Sequence, residues 1–456
     1  MLLLRAAVSF LGRITSIVAI AVTLPSILHL VVADDVVCPD SCWCDSVDAK
    51  SVAVCWDHNL TTVPEHFDRK TEEIILMFSN ITAINNYVFH GLANVSVMLL
   101  QYNDIREVHE QAFDGLYNLM YLDLSHNKIA KMSSKVIQNN EKLNILYLNH
   151  NEISILGPFL ISTSLSVLDL SFCKITFLPH DAFTGTPNIT KLNINNNHIT
   201  EFEKHAFRGL RKLEVLSSGN NLIKHLDSTL FLELDELKYV DFSNNSISTL
   251  SPSLFENNRK MRYLFLKNNS LSVLNSTPIL ISQSLSHLDI SFCNITNIPP
   301  QSFIRLTNLT SLRMNGNQLS VLDAKTMQPL KKLQVVLFGP NATCTESSLQ
   351  NIFEYFQKKS ITYYAPPLCN KSSALTNPML FYSYSSTTTL PSQILQPNIS
   401  NTLSYGTHAP TFSNSSQIKV FVHVMREHAI LMLVISCLLQ VCRWNIIVID
   451  QYSHTI

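Results

Sequence analysis

The feature that most constrains this chain is an apolar pattern that returns at the same spacing along most of its length. Leu119, Leu122, Leu124, Asn127, Ile129 and Met132 reappear, place for place, as Leu143, Leu146, Leu148, Asn151, Ile153 and Leu156. Such units start at Thr71, Val95, Leu119, Leu143, Leu165, Ile189, Leu213, Leu237, Met261, Leu285, Leu309 and Leu333, each 24 residues after the last except for 22 between Leu143 and Leu165. A unit this short cannot bury its own apolar face. Neighbours must therefore stack and bury it against one another, giving one elongated core in place of several globular ones.

The repeated Leu-x-x-Leu-x-Leu-x-x-Asn-x-Ile string resembles the leucine-rich-repeat family over residues 71–340, about twelve repeats. The resemblance implies an α/β solenoid: a curved horseshoe with a parallel β-sheet on its concave side and cysteine caps at its ends. Within each Leu-x-Leu, alternate side chains point to opposite faces of a short strand. The leucines then form a spine, and the third, fifth and seventh positions of each unit face outward on the concave side. Phe113, Phe183, Phe207, Phe255 and Phe303 recur on the return side and are expected to fill the far wall of the core. Asn103, Asn127, Asn151, Asn197, Asn221, Asn245, Asn269 and Asn317 share the ninth position, where a side-chain amide can satisfy backbone groups that no strand ladder reaches. Cys173 and Cys293 take that place in the near-copies Asp169–Cys173 and Asp289–Cys293, five repeats apart. That distance along a stiff solenoid forbids a mutual disulfide. Each is expected to be a buried thiol standing in for the ladder Asn, with a reactive or metal-binding thiol as the alternative. The near-copies also suggest an internal five-repeat duplication.

An open solenoid needs lids. Cys38, Cys42, Cys44 and Cys55 crowd ahead of the first repeat in residues 34–70, and four cysteines alone allow three pairings. Zinc is the rival use of such a cluster, though its ligand pairs favour other spacings. Resemblance to the N-terminal cysteine cap of extracellular family members implies Cys38–Cys44 and Cys42–Cys55. At the other end, residues 341–369 offer Cys344 and Cys369 around the amphipathic stretch Leu349–Phe356. The family's C-terminal cap usually carries four cysteines, so here a single Cys344–Cys369 bridge is expected.

Arg5 and Arg13, the apolar run from Ile14 to Val32 and the small residue Ala33 read as a secretory signal over residues 1–33, with an uncleaved anchor as the alternative. Export makes disulfides natural. It also turns thirteen Asn-x-Ser/Thr sequons into glycan acceptors: Asn59, Asn80, Asn94, Asn188, Asn244, Asn268, Asn275, Asn294, Asn308, Asn341, Asn370, Asn398 and Asn414. Residues 370–417 are rich in Ser, Thr, Asn and Pro and read as an exposed stalk. Residues 429–449 form a candidate membrane segment, interrupted by Arg443 and Asn445. Membrane spanning, a lipid anchor and outright secretion all fit this end. The expected location is the cell surface or the medium.

Function is expected to be binding, not catalysis. The motifs of metalloproteases, serine hydrolases and phosphate-cradling loops are missing, and no cofactor or metal is implied. With 33 basic against 34 acidic residues there is no electrostatic footprint for nucleic acid. Repeat solenoids bind on their concave surfaces. Down the third and fifth positions two aromatic groups stand out, Tyr121, Ile145 and Tyr147, then Tyr239, Tyr263 and Phe265, the latter flanked by Lys238, Arg262 and Lys267. Aromatic residues and Arg dominate interface energetics, so Tyr121, Tyr147, Tyr239, Tyr263, Phe265 and Arg262 are the candidate ligand-binding residues. No sequon falls in those two rows. His126 and His150 share the eighth position in adjacent repeats, near enough to titrate together or to share a metal. The repeats resemble those of Toll-type and neuronal adhesion ectodomains, without the Toll signalling domain. That implies a receptor or adhesion protein with an extracellular protein ligand or co-receptor; a secreted innate-immune or matrix protein is the alternative.

Overall fold

A computed structural model describes residues 37–364, apart from 48–49, 56–58, 156–159, 273, 275–277, 320–321 and 339–349. Wherever leucine alternates with an outward residue, a three-residue strand forms, as at Tyr121–Asp123, Ile145–Tyr147 and Val167–Asp169. Like positions of adjacent repeats pair in parallel, Leu122 with Leu146 and Leu146 with Leu168. The outcome is one 15-stranded sheet whose strand order follows the chain. Its first strand, Cys42–Val47, is antiparallel to Lys50–Cys55, and parallel pairing begins with Glu73–Leu76. Two short parallel pairs sit on the return side, Ala83–Ile84 with Glu107–Val108 and Phe177–Leu178 with Glu201–Phe202. Among the described residues the return segments run mostly as turns, with helices at Ala324–Met327 and Gln350–Lys358.

The expected spine is present. Leu122, Leu146, Leu148, Leu216 and Leu264 are completely buried. Truncating one, as in Leu148→Ala, should cost about 2–5 kcal/mol. The phenylalanines stack along the far wall: Phe183 lies 6.3 Å from Phe207, which lies 5.9 Å from Phe231, itself 5.0 Å from Phe255. Phe89 and Phe231 belong to this wall beside the five expected from the repeat pattern.

The ninth-position asparagines knit consecutive turns. Asn127 donates through Nδ2 to the carbonyls of Leu100 and Leu124, each at 3.0 Å, and accepts from the Ile105 amide at 3.1 Å. Asn151 repeats the arrangement one turn on. Cys173 and Cys293 are free and buried, and their thiols reach the carbonyls of Leu148 and Leu266 at 3.4 and 3.1 Å, part of the asparagine's work. Burial pushes both thiols up to about 12, so they stay protonated and unreactive. A second asparagine bridge, which the repeat spacing does not reveal, lies on the return side, where Asn140 donates to Phe113 and Leu116 and Asn258 to Phe231 and Leu234.

The N-terminal lid is closed by disulfides Cys38–Cys44 and Cys42–Cys55, the pairing the family resemblance implied. At the far end the amphipathic stretch becomes the helix Gln350–Lys358, burying Ile352, Phe353 and Phe356. After it, Thr362–Tyr364 adds a last parallel strand beside Val335–Leu337, so the sheet continues past the expected end of the repeats at 340. Cys344 and Cys369, the secretory signal, the stalk, the membrane segment and sequons Asn275, Asn341, Asn370, Asn398 and Asn414 lie outside the described residues.

Candidate ligand-binding face

On the concave sheet, residues before and after each central leucine project away from the spine, and parallel register sets them in rows. One row runs Tyr121, Ile145, Val167, Lys191, Val215, Tyr239, Tyr263, His287 and Ser311. The next runs Asp123, Tyr147, Asp169, Asn193, Ser217, Asp241, Phe265, Asp289 and Arg313.

Tyr121 and Tyr147 meet edge to face, with ring centroids 5.6 Å apart. Ile145, the third member of that group, is half-buried beside them. Tyr147 stands between two carboxylates, Asp123 and Asp169. Burial, with the nearby Asp169 and Asp123, pushes its hydroxyl up to about 12. Both carboxylates are themselves raised, chiefly by burial, although Ser125 and Ser171 donate to them and Asn193 donates to Asp169 at 2.9 Å.

The second group is larger. Phe265 lies 5.2 Å from Tyr239, Tyr239 lies 6.3 Å from Tyr263, and Tyr263 stacks on His287 at 4.6 Å. Four rings thus form one plate across three adjacent strands. His287, which is not among the candidates drawn from the sequence, closes it; its place in the third-position row was legible there, but its stacking on Tyr263 was not. Burial, then the charge of Arg313, lowers the His287 imidazole, favouring its neutral form. Tyr239 departs from the expected exposure: only 4 % of its surface is open, because Tyr263 and Phe265 lean over it. Its ring is the floor of the plate, while Tyr263 and Phe265 remain half-exposed. Arg262 is exposed and donates to the Ser284 carbonyl at 2.7 Å. The flanking lysines are engaged as well, Lys238 with Glu214 at 2.8 Å and Lys267 over the Phe292 ring at 5.5 Å.

His126 and His150 stack face to face with centroids 4.0 Å apart and planes within 13°. Sharing an ion would require it to lie in both ring planes, which near-parallel rings do not offer. Among the described residues no group of three or more His, Cys, Asp and Glu side chains is placed to hold a metal. Of the sequons within the described residues, Asn59, Asn80, Asn94, Asn268 and Asn294 are exposed, and Asn188, Asn244 and Asn308 are half-buried.

The family model described as "Leucine rich repeat" matches residues 69–129, 117–160, 163–217, 218–271 and 283–337. The chain belongs to the leucine-rich-repeat family. Such solenoids serve as protein-binding scaffolds, which is the role their extended concave surface suits. Among solved structures, the leucine-rich-repeat chain in the crystal structure of the TLR13–ssRNA13 complex is similar, with 23 % identity and a TM-score of 0.53, covering 62 % of this chain and 46 % of that one. A leucine-rich-repeat protein of Leptospira interrogans is 21 % identical with a TM-score of 0.52, covering 65 % of this chain and 72 % of that one. Both likenesses concern the fold, and this leucine-rich-repeat chain spans less than half of the TLR13 chain. No curated protein matches it. Among the described residues no helix is long and apolar enough to cross a membrane.

Proposed function

We propose that this leucine-rich-repeat protein is an extracellular recognition or adhesion protein that docks a protein ligand, or a co-receptor, on its concave face. The observation that carries the reading is the plate of Tyr239, Tyr263, Phe265 and His287. Large rings with a buried floor and half-exposed tops are the surfaces on which interface energy concentrates. Tyr121 and Tyr147 supply a second, smaller contact toward the N-terminal end, and exposed Arg262 borders the plate. The disulfide-closed cap supports an oxidising compartment. A soluble secreted form meets that condition equally, and fractionating expressing cells into medium and membranes separates the two.

The TLR13 neighbour is in complex with single-stranded RNA. In this chain the balance of 33 basic and 34 acidic residues argues against a polyanion and favours protein. The test is capture of cell-surface and secreted proteins by the tagged chain and by its Tyr263→Ala/Phe265→Ala variant. Loss of these two rings should weaken ligand binding by about 2 kcal/mol or more, roughly thirtyfold in Kd, with little change in melting temperature. Equal capture by both chains would remove the plate from the interface.

A further inference from the structure

A second aromatic array runs along the flank of the solenoid, outside the concave rows. At the eighth position of five consecutive repeats stand Phe78, Tyr102, His126, His150 and Phe172. Their rings form one continuous stack, with successive centroids 4.8, 4.3, 4.0 and 4.3 Å apart and interplanar angles of 8 to 16°. Each sits where the chain turns with a positive φ, between 53 and 59°. Bulky residues such as Phe and Tyr disfavour that conformation, whereas His tolerates it better and Asn tolerates it well. Asn indeed takes the same place in the next four repeats, as Asn196, Asn220, Asn244 and Asn268, at φ of 53 to 56°. Folding this turn therefore does not require rings. Yet five are strung together here, with Phe78, Tyr102 and Phe172 exposed at 43, 45 and 48 %.

Two residues further on in four of these turns lies a row of alternating charge: Asp104, Lys128, Glu152 and Lys174. Lys128 pairs with Asp104 at 2.6 Å and Lys174 with Glu152 at 3.3 Å, and all four side chains are 43 to 58 % open to solvent. Reversed in direction, the series − + − + becomes + − + −, its own complement. A twofold axis between the repeats of Lys128 and Glu152 would set Lys128 against Glu152 of a second copy and Asp104 against Lys174. The same axis passes between His126 and His150, so the two stacks would lie antiparallel, edge against edge. Self-complementarity about a twofold is the requirement for an isologous dimer contact. Sequons agree with this: the eighth- and tenth-position rows carry them at Asn244, Asn268 and Asn294, and at Asn80 beside the end of the stack, but at no place from Tyr102 to Lys174.

We propose that this flank is where two copies of the chain associate, antiparallel, through the ring stack and the alternating charges. It is separate from the concave plate and does not depend on the ligand-binding reading. The test is sedimentation of the purified full-length chain over a micromolar concentration series, with two charge reversals. Lys128→Glu alone puts Glu against Glu twice across the twofold, and Glu152→Lys alone puts Lys against Lys twice. Each variant should be monomeric where the unaltered chain is dimeric, with affinity lower by about tenfold or more. An equimolar mixture of the two restores every opposite pair across the twofold, though not the Lys128–Asp104 pair within the first variant or the Lys174–Glu152 pair within the second, and should dimerise again. A Tyr102→Asn/His126→Asn variant, whose new side chains suit the turn, should keep its melting temperature and lose the dimer. A monomeric unaltered chain, dimeric single reversals, a mixture that stays monomeric, or an Asn variant that dimerises normally would each overturn the proposal.

Discussion

Replacing Asn127 by Leu isolates what the asparagine ladder contributes, because the amide is buried and each of its partners is known. The Leu100 carbonyl loses one of two donors and keeps Asn103 Nδ2 at 3.0 Å. Likewise the Leu124 carbonyl keeps Asn151 Nδ2 at 2.9 Å. The Ile105 amide is in a different position, since Asn127 Oδ1 at 3.1 Å is its acceptor and the site is closed to water. Orphaning that amide costs about 1–3 kcal/mol, and each of the three weakened carbonyls, Leu100, Leu124 and Ser125, the last reached by Asn127 Nδ2 at 3.1 Å, adds about 0.5–1.5 kcal/mol, so the loss should be about 2.5–7.5 kcal/mol. Asn127→Cys should lose less, because the thiol of Cys173 reaches a ladder carbonyl from the equivalent place. Urea unfolding gives the energies, and hydrogen exchange at the Ile105 amide reports the local break. If Asn127→Leu unfolds within about 0.5 kcal/mol of the unaltered chain and Ile105 keeps its protection, the amide bridge is not what joins these turns.

Gly185→Ala should destabilise by about 1–3 kcal/mol, read by thermal melting, because a Cβ there would lie 2.1 Å from the Leu160 carbonyl oxygen, and backbone cannot swing aside. Tyr239→Ala should lower stability by about 2 kcal/mol through lost burial, while Phe265→Ala should leave melting nearly unchanged; equal effects would deny the floor-and-top division of the plate. The His126 imidazole is held below 6.5 by burial and by the charge of His150, so its contribution is complete above the unfolded value and is lost as pH falls through the lowered folded one. The unaltered chain should therefore lose more melting temperature between neutral pH and about pH 5 than His126→Asn does, and parallel curves would contradict the shift.

Spacing alone located the strands, the spine, the ninth-position amides and the two buried thiols, because a 24-residue period turns each place in the repeat into a row in space. Alternation also said which way a side chain points. It did not say what lies over it. Val97, Leu99, Val215 and Tyr239 point to the concave side and are nonetheless buried, Tyr239 beneath Tyr263 and Phe265. The flank stack was half legible for the same reason. His126 and His150 were visible as a pair at one position, but the stack extends to Phe78 and Phe172 through a backbone turn whose positive φ is a conformational fact, and hydropathy does not encode it.

The two aromatic arrays follow from one property of the repeat. A residue change at any outward place leaves the spine alone, so each row is free to vary while the coil stays intact. The concave plate draws on the third and fifth places of three later repeats, and the flank stack draws on the eighth place of five earlier ones. They share no residue and no turn. Losses at sites this far apart, without common partners, are expected to add. The proposed ligand capture and the proposed self-association should therefore be separable by substitution, which a globular fold with a single packed core rarely permits. The strain of placing rings at positive φ points the same way: four following repeats build that turn with Asn, so the rings are an addition to the fold and not a condition of it.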